Sequence, residues 1–389
     1  MYIYRIVIIT EKFTISSIEK LIKKRKGEGI MGKMRIAFIG MQHIHLKNLS
    51  KDFNKFQDDV EIVGVADVPP YTAEELETRI KLNKPTDVEI PLWDDYKELL
   101  KQNIDIAVIT TDVKGHADIV EEVLALNIHT VVEKPMALDM ADAKRMYRAH
   151  LRSEAELIIN WPVAWVPAFR KVKELADSGI VGDILRIQYR SPSTKGPYKG
   201  SQYTAAERSK LWWFQHDRGG GSVCDYAGYG CALTTWIAGT TAKRVAGFKK
   251  NFFLQFSDVE DYSTFTIDFG NCIGHVEGSW STLNSGEIPT GPIVYGTEGT
   301  IVSDRYEKDV RVYLGLCQYK LSPPPTEVYP IEETGESLAS HLLKHFKDGE
   351  PLVELLTAEF NMKMMSAFDA GRRSCETGMI ETAEDPFQF

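Results

Sequence analysis

Hydrophobic positions after residue 34 form short apolar runs that alternate with amphipathic stretches. The runs are rich in β-branched residues and are predicted to be strands at Arg35–Ile39, Glu61–Asp67, Asp105–Ile109, His129–Val132 and Leu157–Ile159. The stretches between them have helical spacing, the first being His43–Phe56. Near-continuous apolar strands separated by helices are typical of a parallel sheet covered on both faces. The right-handed crossover rule then predicts a doubly wound α/β domain, of the Rossmann type, over residues 34–160.

The pattern changes after Asn160. A long polar loop spans residues 191–210, and the glycines Gly219–Gly221 open a helix that runs to about Ile237. Strand-like runs joined by tight turns such as Phe269-Gly-Asn follow, and such turns suit antiparallel pairing. Residues 161–389 are therefore predicted to form an α+β domain with a mainly antiparallel open sheet.

The first 33 residues differ from the rest. Met1–Thr10 is apolar but is interrupted by Arg5, and the basic run Lys23–Lys26 follows it instead of preceding it. A secretory signal has the opposite order. We interpret residues 1–33 as an N-terminal extension that the fold does not need, with a helical arm over Ile15–Lys26 as the alternative.

Composition excludes several classes of protein. The chain has 389 residues and a formal net charge of −9, whereas general nucleic-acid binders are usually basic. No apolar run reaches the roughly 18 residues that a membrane-spanning helix requires. The five cysteines form no C-x-x-C pair, so we expect reduced thiols in a cytoplasmic protein. We also expect no metal centre.

The turn after the first strand carries candidate cofactor residues. It reads Gly40-Met-Gln42-His43-Ile-His45, in which only the first glycine of a G-x-G-x-x-G loop is present. A dinucleotide fold uses glycine here so that the backbone can approach a pyrophosphate at the N-terminus of the next helix. An ordinary strand–helix turn would have the same pattern. Gln42 and His43 are candidates for cofactor contacts, and a packing role for His43 and His45 is the open alternative.

Asp67 ends the second strand, 22 residues after His45. An acidic residue at about this distance hydrogen-bonds the adenosine ribose of a dinucleotide, and its charge repels a 2′-phosphate. No arginine follows it directly, because Val68-Pro69-Pro70 comes next. We therefore expect NAD to be favoured over NADP, and the alternative is a simple strand-end aspartate.

Two further segments carry chemistry. Glu133-Lys134-Pro135 follows a predicted strand, at the sheet edge where ligands bind in doubly wound folds. A lysine there can hydrogen-bond a substrate hydroxyl and favour its alkoxide, although a solvated Glu-Lys pair is the simpler interpretation. Asp225 and Tyr229 stand on one face of the next predicted helix, and tyrosine can carry a proton when a neighbouring cation lowers its pKa. The alternative is an aspartate stabilised by the helix dipole and a packed tyrosine.

These segments, in this order, resemble the Gfo/Idh/MocA oxidoreductases, the group that includes glucose–fructose oxidoreductase and inositol dehydrogenase. The resemblance rests on Gly40, Asp67, Ile109–His116, Glu133–Pro135, Lys173–Gly182, Gly219–Asp225 and Tyr295–Gly299. It implies that Lys134 lies beside the nicotinamide and the substrate. It places Thr110, Thr111, His116 and Glu133 on the cofactor side. The family's D-x-x-x-H motif, an aspartate and an acid–base histidine, corresponds here to Asp225 and Tyr229.

The chain departs from the family pattern in four places. Gln42 and His45 replace two loop glycines, and Thr111-Asp112 replaces a Pro-Asn pair. Asn160-Trp-Pro stands where an arginine is common. The catalytic histidine position holds Tyr229, as it does in glucose–fructose oxidoreductase and the dihydrodiol dehydrogenases. We therefore expect an active Tyr variant, with loss of chemistry as the alternative.

Four candidate substrate residues lie in segments that the resemblance places around the pocket: Trp161, Trp165, Trp213 and His216. Aromatic faces suit the C–H faces of sugar or polyol rings, but tryptophans suit a core equally well. His216 is a candidate to hydrogen-bond a substrate hydroxyl.

Together these observations predict an NAD(P)-dependent enzyme that transfers a hydride to or from a carbinol carbon of a sugar, polyol or cyclic diol. Lys134 would bind the reacting oxygen, Tyr229 would move the proton, and Asp225 would orient Lys134 or the substrate. Two alternatives stay open: a non-catalytic, cofactor-sensing regulator on the same fold, and lyase or glycosidase chemistry with retained NAD. We expect a homodimer or homotetramer, and no nucleic-acid or membrane partner.

Overall fold

A computed structural model describes residues 32–193, 196–198, 203–283, 288–315 and 323–389. These residues form two sheets with helices packed against them. The extension predicted for residues 1–33 lies outside the described residues, apart from its last two positions.

The first sheet has six parallel strands in the order β3-β2-β1-β4-β5-β6. They are β1 Met34–Ile39, β2 Val60–Ala66, β3 Leu92–Trp93, β4 Ile106–Ile109, β5 His129–Glu133 and β6 Leu157–Asn160. The order reverses between β1 and β4, which opens a crevice at their carboxyl ends. The predicted doubly wound fold is confirmed. β3 is not predicted from the sequence, because two residues are too few to show the alternation of apolar and polar positions that indicates a strand.

Five helices connect these strands: α1 Leu46–Asn54, α2 Ala73–Asn83, α3 Tyr96–Leu100, α4 His116–Ala125 and α5 Met140–Arg152. Thr72 and Glu75 form a capping box at the start of α2, which satisfies backbone N–H groups that the helix leaves free. α1 begins at Leu46, three residues later than predicted. The N–H of His43 instead donates to the carbonyl of Thr110, so residues 43–45 form a loop tied to the end of β4.

The second sheet has nine strands in the order β14-β13-β12-β11-β7-β10-β9-β8-β15. They are β7 Ile184–Pro192, β8 Arg244–Lys250, β9 Tyr262–Asp268, β10 Ile273–Ser279, β11 Ile293–Gly296, β12 Gly299–Val302, β13 Asp309–Leu314, β14 Glu327–Pro330 and β15 Glu381–Thr382. β7 and β10 are parallel, and the other neighbours are antiparallel. The predicted mainly antiparallel sheet is confirmed. β15 is not predicted because it has two residues, and β11 and β14 are not predicted because they have four residues each and include Gly296 or Pro330, residue types that are rare in strands.

The remaining helices are α6 Pro167–Asp177, α7 Ala205–Arg208, α8 Gly228–Ala238, α9 Leu338–Leu343 and α10 Ala358–Thr377. α8 and α10 pack against one face of the nine-stranded sheet and against each other. The helix predicted from Gly221 begins with a π-helical turn, Val223–Ala227, and continues as α8. None of the described helices is long and apolar enough to cross a membrane.

Part of the second half of the chain lies against the loop that follows β1. The indole N–H of Trp212 donates to the carbonyl of Gln42 at 2.9 Å. The guanidinium of Arg218 donates to the carboxylate of Asp112, which caps the turn after β4, at 2.6 Å. The crevice of the first sheet is therefore bordered by residues 212–218, which enter from the other half of the chain.

Candidate active site

Lys134, Asp225 and Tyr229 meet at the boundary between the two halves. Lys134 follows β5, Asp225 lies in the π-helical turn, and Tyr229 lies in the first turn of α8. The ammonium of Lys134 donates to Oδ1 of Asp225 at 2.6 Å and to its backbone carbonyl at 3.3 Å. It also lies 4.5 Å from the centroid of the Tyr229 ring. The structure therefore brings together the three residues predicted to be catalytic.

Two tryptophans support this cluster. Oδ2 of Asp225 accepts a hydrogen bond from the indole of Trp280 at 3.0 Å, so Asp225 bridges a lysine and a tryptophan. The Trp161 ring packs edge-on against Tyr229 at 5.5 Å and donates to Oδ1 of Asn361 at 2.7 Å. Trp161 is fully buried. The structure places its ring behind Tyr229 in the core, and its predicted contact with substrate stays a prediction.

Burial and charge set the protonation of the cluster. Burial alone lowers the pKa of Lys134, but the charge and hydrogen bond of Asp225, together with the nearby Tyr229 and Glu133, outweigh it and leave the pKa above its ordinary value. Burial raises the pKa of Tyr229 to about 12, although the charge of Lys134 opposes the shift. The neighbouring cation lowers this pKa, as expected, but desolvation opposes it and is the larger effect. At neutral pH Lys134 is therefore an ammonium and Tyr229 a neutral phenol.

Glu133 forms a second buried cluster beside Lys134. Nδ1 of His45 lies 3.0 Å from Oε2 of Glu133, and the side-chain amide of Asn160 donates to Oε1 at 2.8 Å. Burial alone raises the pKa of Glu133, but the adjacent His45 and His43 hold it well below its usual range. A charged Glu133 thus fixes the loop that follows β1, through His45, to the end of β5.

His43, His45 and Glu133 also form the one cluster of the described chain with metal-ligand composition, although no metal centre is expected from the sequence. Their three nearest ligand atoms lie within 4.8 Å of one another. Nδ1 of His43 accepts the backbone N–H of His45 at 3.1 Å, and burial lowers the pKa of His43 well below 6.5. The neutral ring therefore carries its proton on Nε2, the atom nearest Glu133, and cannot ligate a metal there. We interpret the cluster as a hydrogen-bonding network.

The loop after β1 has a backbone conformation that requires glycine at its start. Gly40 has φ +94, and a Cβ at this position would lie 2.5 Å from Cγ2 of Thr111. The hydroxyl of Thr110 donates to the carbonyl of Gly40 at 2.7 Å. The ends of β1 and β4 thus pack too closely for a side chain at position 40, so this position of the G-x-G-x-x-G pattern requires glycine. The other two glycine positions of the pattern hold Gln42 and His45.

Several buried polar atoms around this loop lack a partner among the described residues: Oε1 of Gln42, Nε2 of His43 and Nε2 of His116. The other ring nitrogen of His116 lies 3.2 Å from the carbonyl of Met136, and Thr111 hydrogen-bonds the carbonyl of Asp112. Buried polar groups without partners cost free energy and commonly mark a ligand site. Their clustering at the carboxyl ends of β1, β4 and β5 fits a polar ligand lying in this crevice.

Asp67 lies at the same edge but is enclosed. Its Oδ1 accepts the N–H of Met41 at 2.9 Å, and its Oδ2 accepts the guanidinium of Arg79 at 2.7 Å. The carboxylate has no exposed surface. An adenosine ribose would reach Asp67 only after Arg79 moved. The residues directly after Asp67 include no arginine, so the sequence does not indicate this partner. Arg79 comes 12 residues after Asp67, in α2.

A cavity of about 780 Å³ opens beside Asp225 and Tyr229. Trp165 and Trp213 line it, as predicted for substrate residues, together with His45, Asn160, Tyr189 and Arg305. His216 does not line it. The backbone N–H of His216 donates to Asp258, and its exposed ring lies 3.1 Å from Glu376. The 3₁₀ turn that carries His216 faces outward, away from this cavity, and its predicted contact with substrate stays a prediction.

The fold and this site define a class of protein. The first half of the chain forms a doubly wound sheet with a ligand crevice, and the second half forms an open sheet. An aspartate and a tyrosine of the second half contact a lysine at the edge of that crevice. This is the architecture of two-domain dinucleotide-binding oxidoreductases.

Comparison with known families identifies the group. Residues 34–160 match the oxidoreductase family with NAD-binding Rossmann fold, and residues 169–302 match the Gfo/Idh/MocA C-terminal domain. The protein therefore belongs to the Gfo/Idh/MocA oxidoreductases, as the resemblance predicts.

Individual relatives are distant. The chain is 26% identical to myo-inositol 2-dehydrogenase of Thermotoga maritima over 166 residues, 41% of this chain and 46% of the relative. It is 27% identical to D-apiose dehydrogenase of Rhizobium rhizogenes over 224 residues, 56% of this chain and 61% of the relative. The match thus spans about half the length of such relatives. The solved aldose-aldose oxidoreductase of Caulobacter crescentus shares the fold, with a TM-score of 0.68 at 17% identity, covering 90% of this chain and 99% of that one.

Proposed function

We propose that this protein is an NAD(P)-dependent dehydrogenase or reductase acting on a carbinol carbon of a sugar, polyol or cyclic diol. The observation that carries the proposal is the contact of Lys134 with both Asp225 and Tyr229, at the wall of a cavity beside the dinucleotide crevice. The names of the relatives, dehydrogenases of inositol and apiose, support a sugar-like substrate. We also place the domain boundary at residues 160–161, where β6 ends.

The residues present fit a dinucleotide. Gly40 allows the close approach of two strand ends, and the unpartnered atoms of Gln42, His43 and His116 offer polar contacts. Thr110, Thr111 and Glu133 would border the cofactor, and Asp67 would hold its ribose once Arg79 moved. NAD or NADP, when bound, supplies or accepts the hydride.

The protein's own groups then position the substrate and move its proton. Lys134 has two of its three donors directed to Asp225, which leaves the third for the reacting oxygen of the substrate. Tyr229 lines the cavity, and no described residue hydrogen-bonds its hydroxyl. That hydroxyl would donate its proton to the oxygen during reduction and take it back during oxidation. Asp225, held from the other side by Trp280, would keep Lys134 in place.

The experiment that tests this function is a panel of sugars and polyols, each assayed with NAD and NADP by the absorbance of the reduced cofactor. We expect at least one compound to give stoichiometric reduced cofactor. Tight cofactor binding without turnover of any compound would contradict the proposal and favour a cofactor-sensing regulator. Turnover without accumulation of reduced cofactor would favour lyase or glycosidase chemistry.

A further inference from the structure

Among the residues that the structure describes, the charged side chains that line the cavity are, with one exception, paired with a partner. Lys55 pairs with Asp52 at 3.3 Å, and Arg190 pairs with Glu277 at 3.1 Å. Asp225 pairs with Lys134 at 2.6 Å, and Glu336 pairs with Arg170. Each of these pairs is complete within the protein, so none of them needs a charge from the substrate.

Arg305 is the exception. Its side chain is exposed and lines the cavity, and within the described parts of the chain its guanidinium has neither an ion pair nor a hydrogen bond. The neighbouring Asp304 does not neutralise it. Oδ2 of Asp304 accepts both the N–H and the hydroxyl of Thr290, at 2.7 and 2.8 Å, and Oδ1 accepts the N–H of Tyr306 at 3.0 Å.

Those three hydrogen bonds also fix the turn that carries Arg305. They link Asp304, the residue before Arg305, to Thr290 and to Tyr306, the residue after it, and the hydroxyl of Ser303 donates to the carbonyl of Pro292 at 2.7 Å. The backbone under Arg305 is therefore held in place, so less conformational entropy is lost when its side chain binds a ligand.

Arg305 faces the same space as the candidate catalytic tyrosine. Its charge acts on the pKa of Tyr229 and on that of Tyr189, lowering both, although burial is the larger effect and raises each to about 12. Tyr189 also lines the cavity and remains a neutral hydroxyl. A ligand that contacts Tyr229 thus meets an unpaired cation and a phenolic hydroxyl within the same cavity.

We propose that Arg305 binds a carboxylate of the substrate, which makes the substrate a sugar acid or polyol acid instead of a neutral sugar. The proposal rests on the proposed function and names its substrate class. A guanidinium matches a carboxylate with two parallel hydrogen bonds, and an unpaired arginine in a cavity gains most from an anion. A phosphate dianion would call for a second cation, and within the described part of the cavity lining Lys55 and Arg190 are paired with carboxylates.

The test compares compounds that differ only in the acidic group. D-gluconate is assayed against D-glucitol, and D-galacturonate against D-galactose, with wild type, Arg305→Gln, Arg305→Lys and the control Lys308→Gln. Lys308 is exposed near the same turn and does not line the cavity, so its loss changes the net charge alone.

We expect wild type to prefer the acid of each pair in kcat/KM. Arg305→Gln should lower that preference by about 10- to 100-fold, mainly through KM, as expected for a hydrogen bond to a charged group. Arg305→Lys should have an intermediate effect, and Lys308→Gln should leave the preference as in wild type.

Failure of this inference is distinct from failure of the proposed function. Turnover of neutral compounds without a preference for acids, or equal effects of Arg305→Gln on both members of a pair, would overturn the carboxylate site and leave the enzyme in place. A preference for glucose 6-phosphate over gluconate that depends on Arg305 would also overturn it. If no compound is turned over, the shift in melting temperature that each compound causes tests the carboxylate site instead. Gluconate must then raise the melting temperature more than glucitol does, and Arg305→Gln must abolish the difference; equal shifts in wild type would overturn the inference.

Discussion

The ammonium of Lys134 lies 4.5 Å from the centre of the Tyr229 ring, facing the ring while its nearest bond goes to Asp225. A cation in this position is attracted by the electron-rich ring face and opposes the rise in the phenol pKa. Burial is the larger effect, so the pKa of Tyr229 is about 12. Tyr229 is therefore a proton donor at neutral pH, suited to protonating a carbonyl oxygen as it is reduced.

Replacing Tyr229 by Phe tests its role most directly. We expect the variant to keep its fold and its affinity for NAD, because only the hydroxyl is removed, and to lose about 10²–10⁴ in kcat, the usual contribution of general acid–base catalysis. Turnover of a confirmed substrate is the measurement, and Tyr226→Phe, in the same cavity, is the matched control. Near wild-type turnover would assign Tyr229 to packing and give the proton to another group.

The pH dependence should differ between the two directions of the reaction. Oxidation needs the phenolate, whose fraction grows as pH rises toward a pKa of about 12, so its rate should climb without levelling below about pH 10. Reduction uses the neutral phenol and should stay nearly constant over the same range. Tyr229→His should move the levelling of the oxidation rate toward the imidazole pKa of about 6.5. A wild-type plateau near neutral pH would show that a different group titrates.

Lys134 and Asp225 should behave as a unit in folding as well as in activity. Lys134→Met leaves a buried carboxylate without its cation and is expected to lower the free energy of unfolding by about 3–5 kcal/mol. The double variant Lys134→Met with Asp225→Asn removes both charges and should recover part of that loss. Urea unfolding of the wild type, the two single variants and the double variant gives the coupling. Additive effects would mean that the pair is not coupled.

Cofactor preference should depend on the pairing of Asp67 with Arg79. Asp67→Ser removes a ribose contact and is expected to weaken NAD binding by about 1–3 kcal/mol. It also releases Arg79, whose freed guanidinium can bind a 2′-phosphate, so NADP should gain relative to NAD. Fluorescence titration with both cofactors measures the change, and Arg79→Gln added to Asp67→Ser should cancel the gain. A wild-type preference for NADP would contradict our interpretation of Asp67.

The face of the nine-stranded sheet opposite α8 and α10 is expected to bind a second subunit. Phe248 on β8 pairs with Thr264, which pairs with Glu277 on β10, and paired residues share a face. Phe248 is 72% exposed there and Val328 on β14 is 49% exposed. Burying this face in a dimer would remove apolar area from water. Light scattering at micromolar concentration should show an oligomer, Phe248→Lys should weaken it, and a wild-type monomer would refute the prediction.

Sequence reasoning found the parts of the site that stand at the ends of regular elements. Lys134 follows a strand and Asp225 opens a helix, so their meeting is a consequence of the fold. The other residues that hydrogen-bond to them could not be predicted from the sequence. Trp280 lies 55 residues after Asp225, and no spacing rule links an indole at the end of β10 to that carboxylate.

The roles of other residues could not be predicted, because they depend on which neighbouring side chains have hydrogen-bond or ion-pair partners in the fold. Arg305 stands in a turn without any motif around it, and its meaning comes from the pairing of the other charged residues that the structure describes in the cavity. The positions of Trp161 and His216 could not be predicted for a related reason. Their residue types suit a sugar pocket, but the sequence does not show that one ring is buried behind Tyr229 and the other faces outward.

The hydrogen bond from Trp212 to Gln42, with the ion pair of Arg218 and Asp112, fastens the second half of the chain to the lip of the dinucleotide crevice. A nucleotide that enters the crevice past residues 212–218 would have to break both contacts. We therefore expect its exchange to move the two halves of the chain apart, a movement that takes microseconds to milliseconds or longer. Where this movement is slower than the chemical step, exchange of the nucleotide would limit turnover.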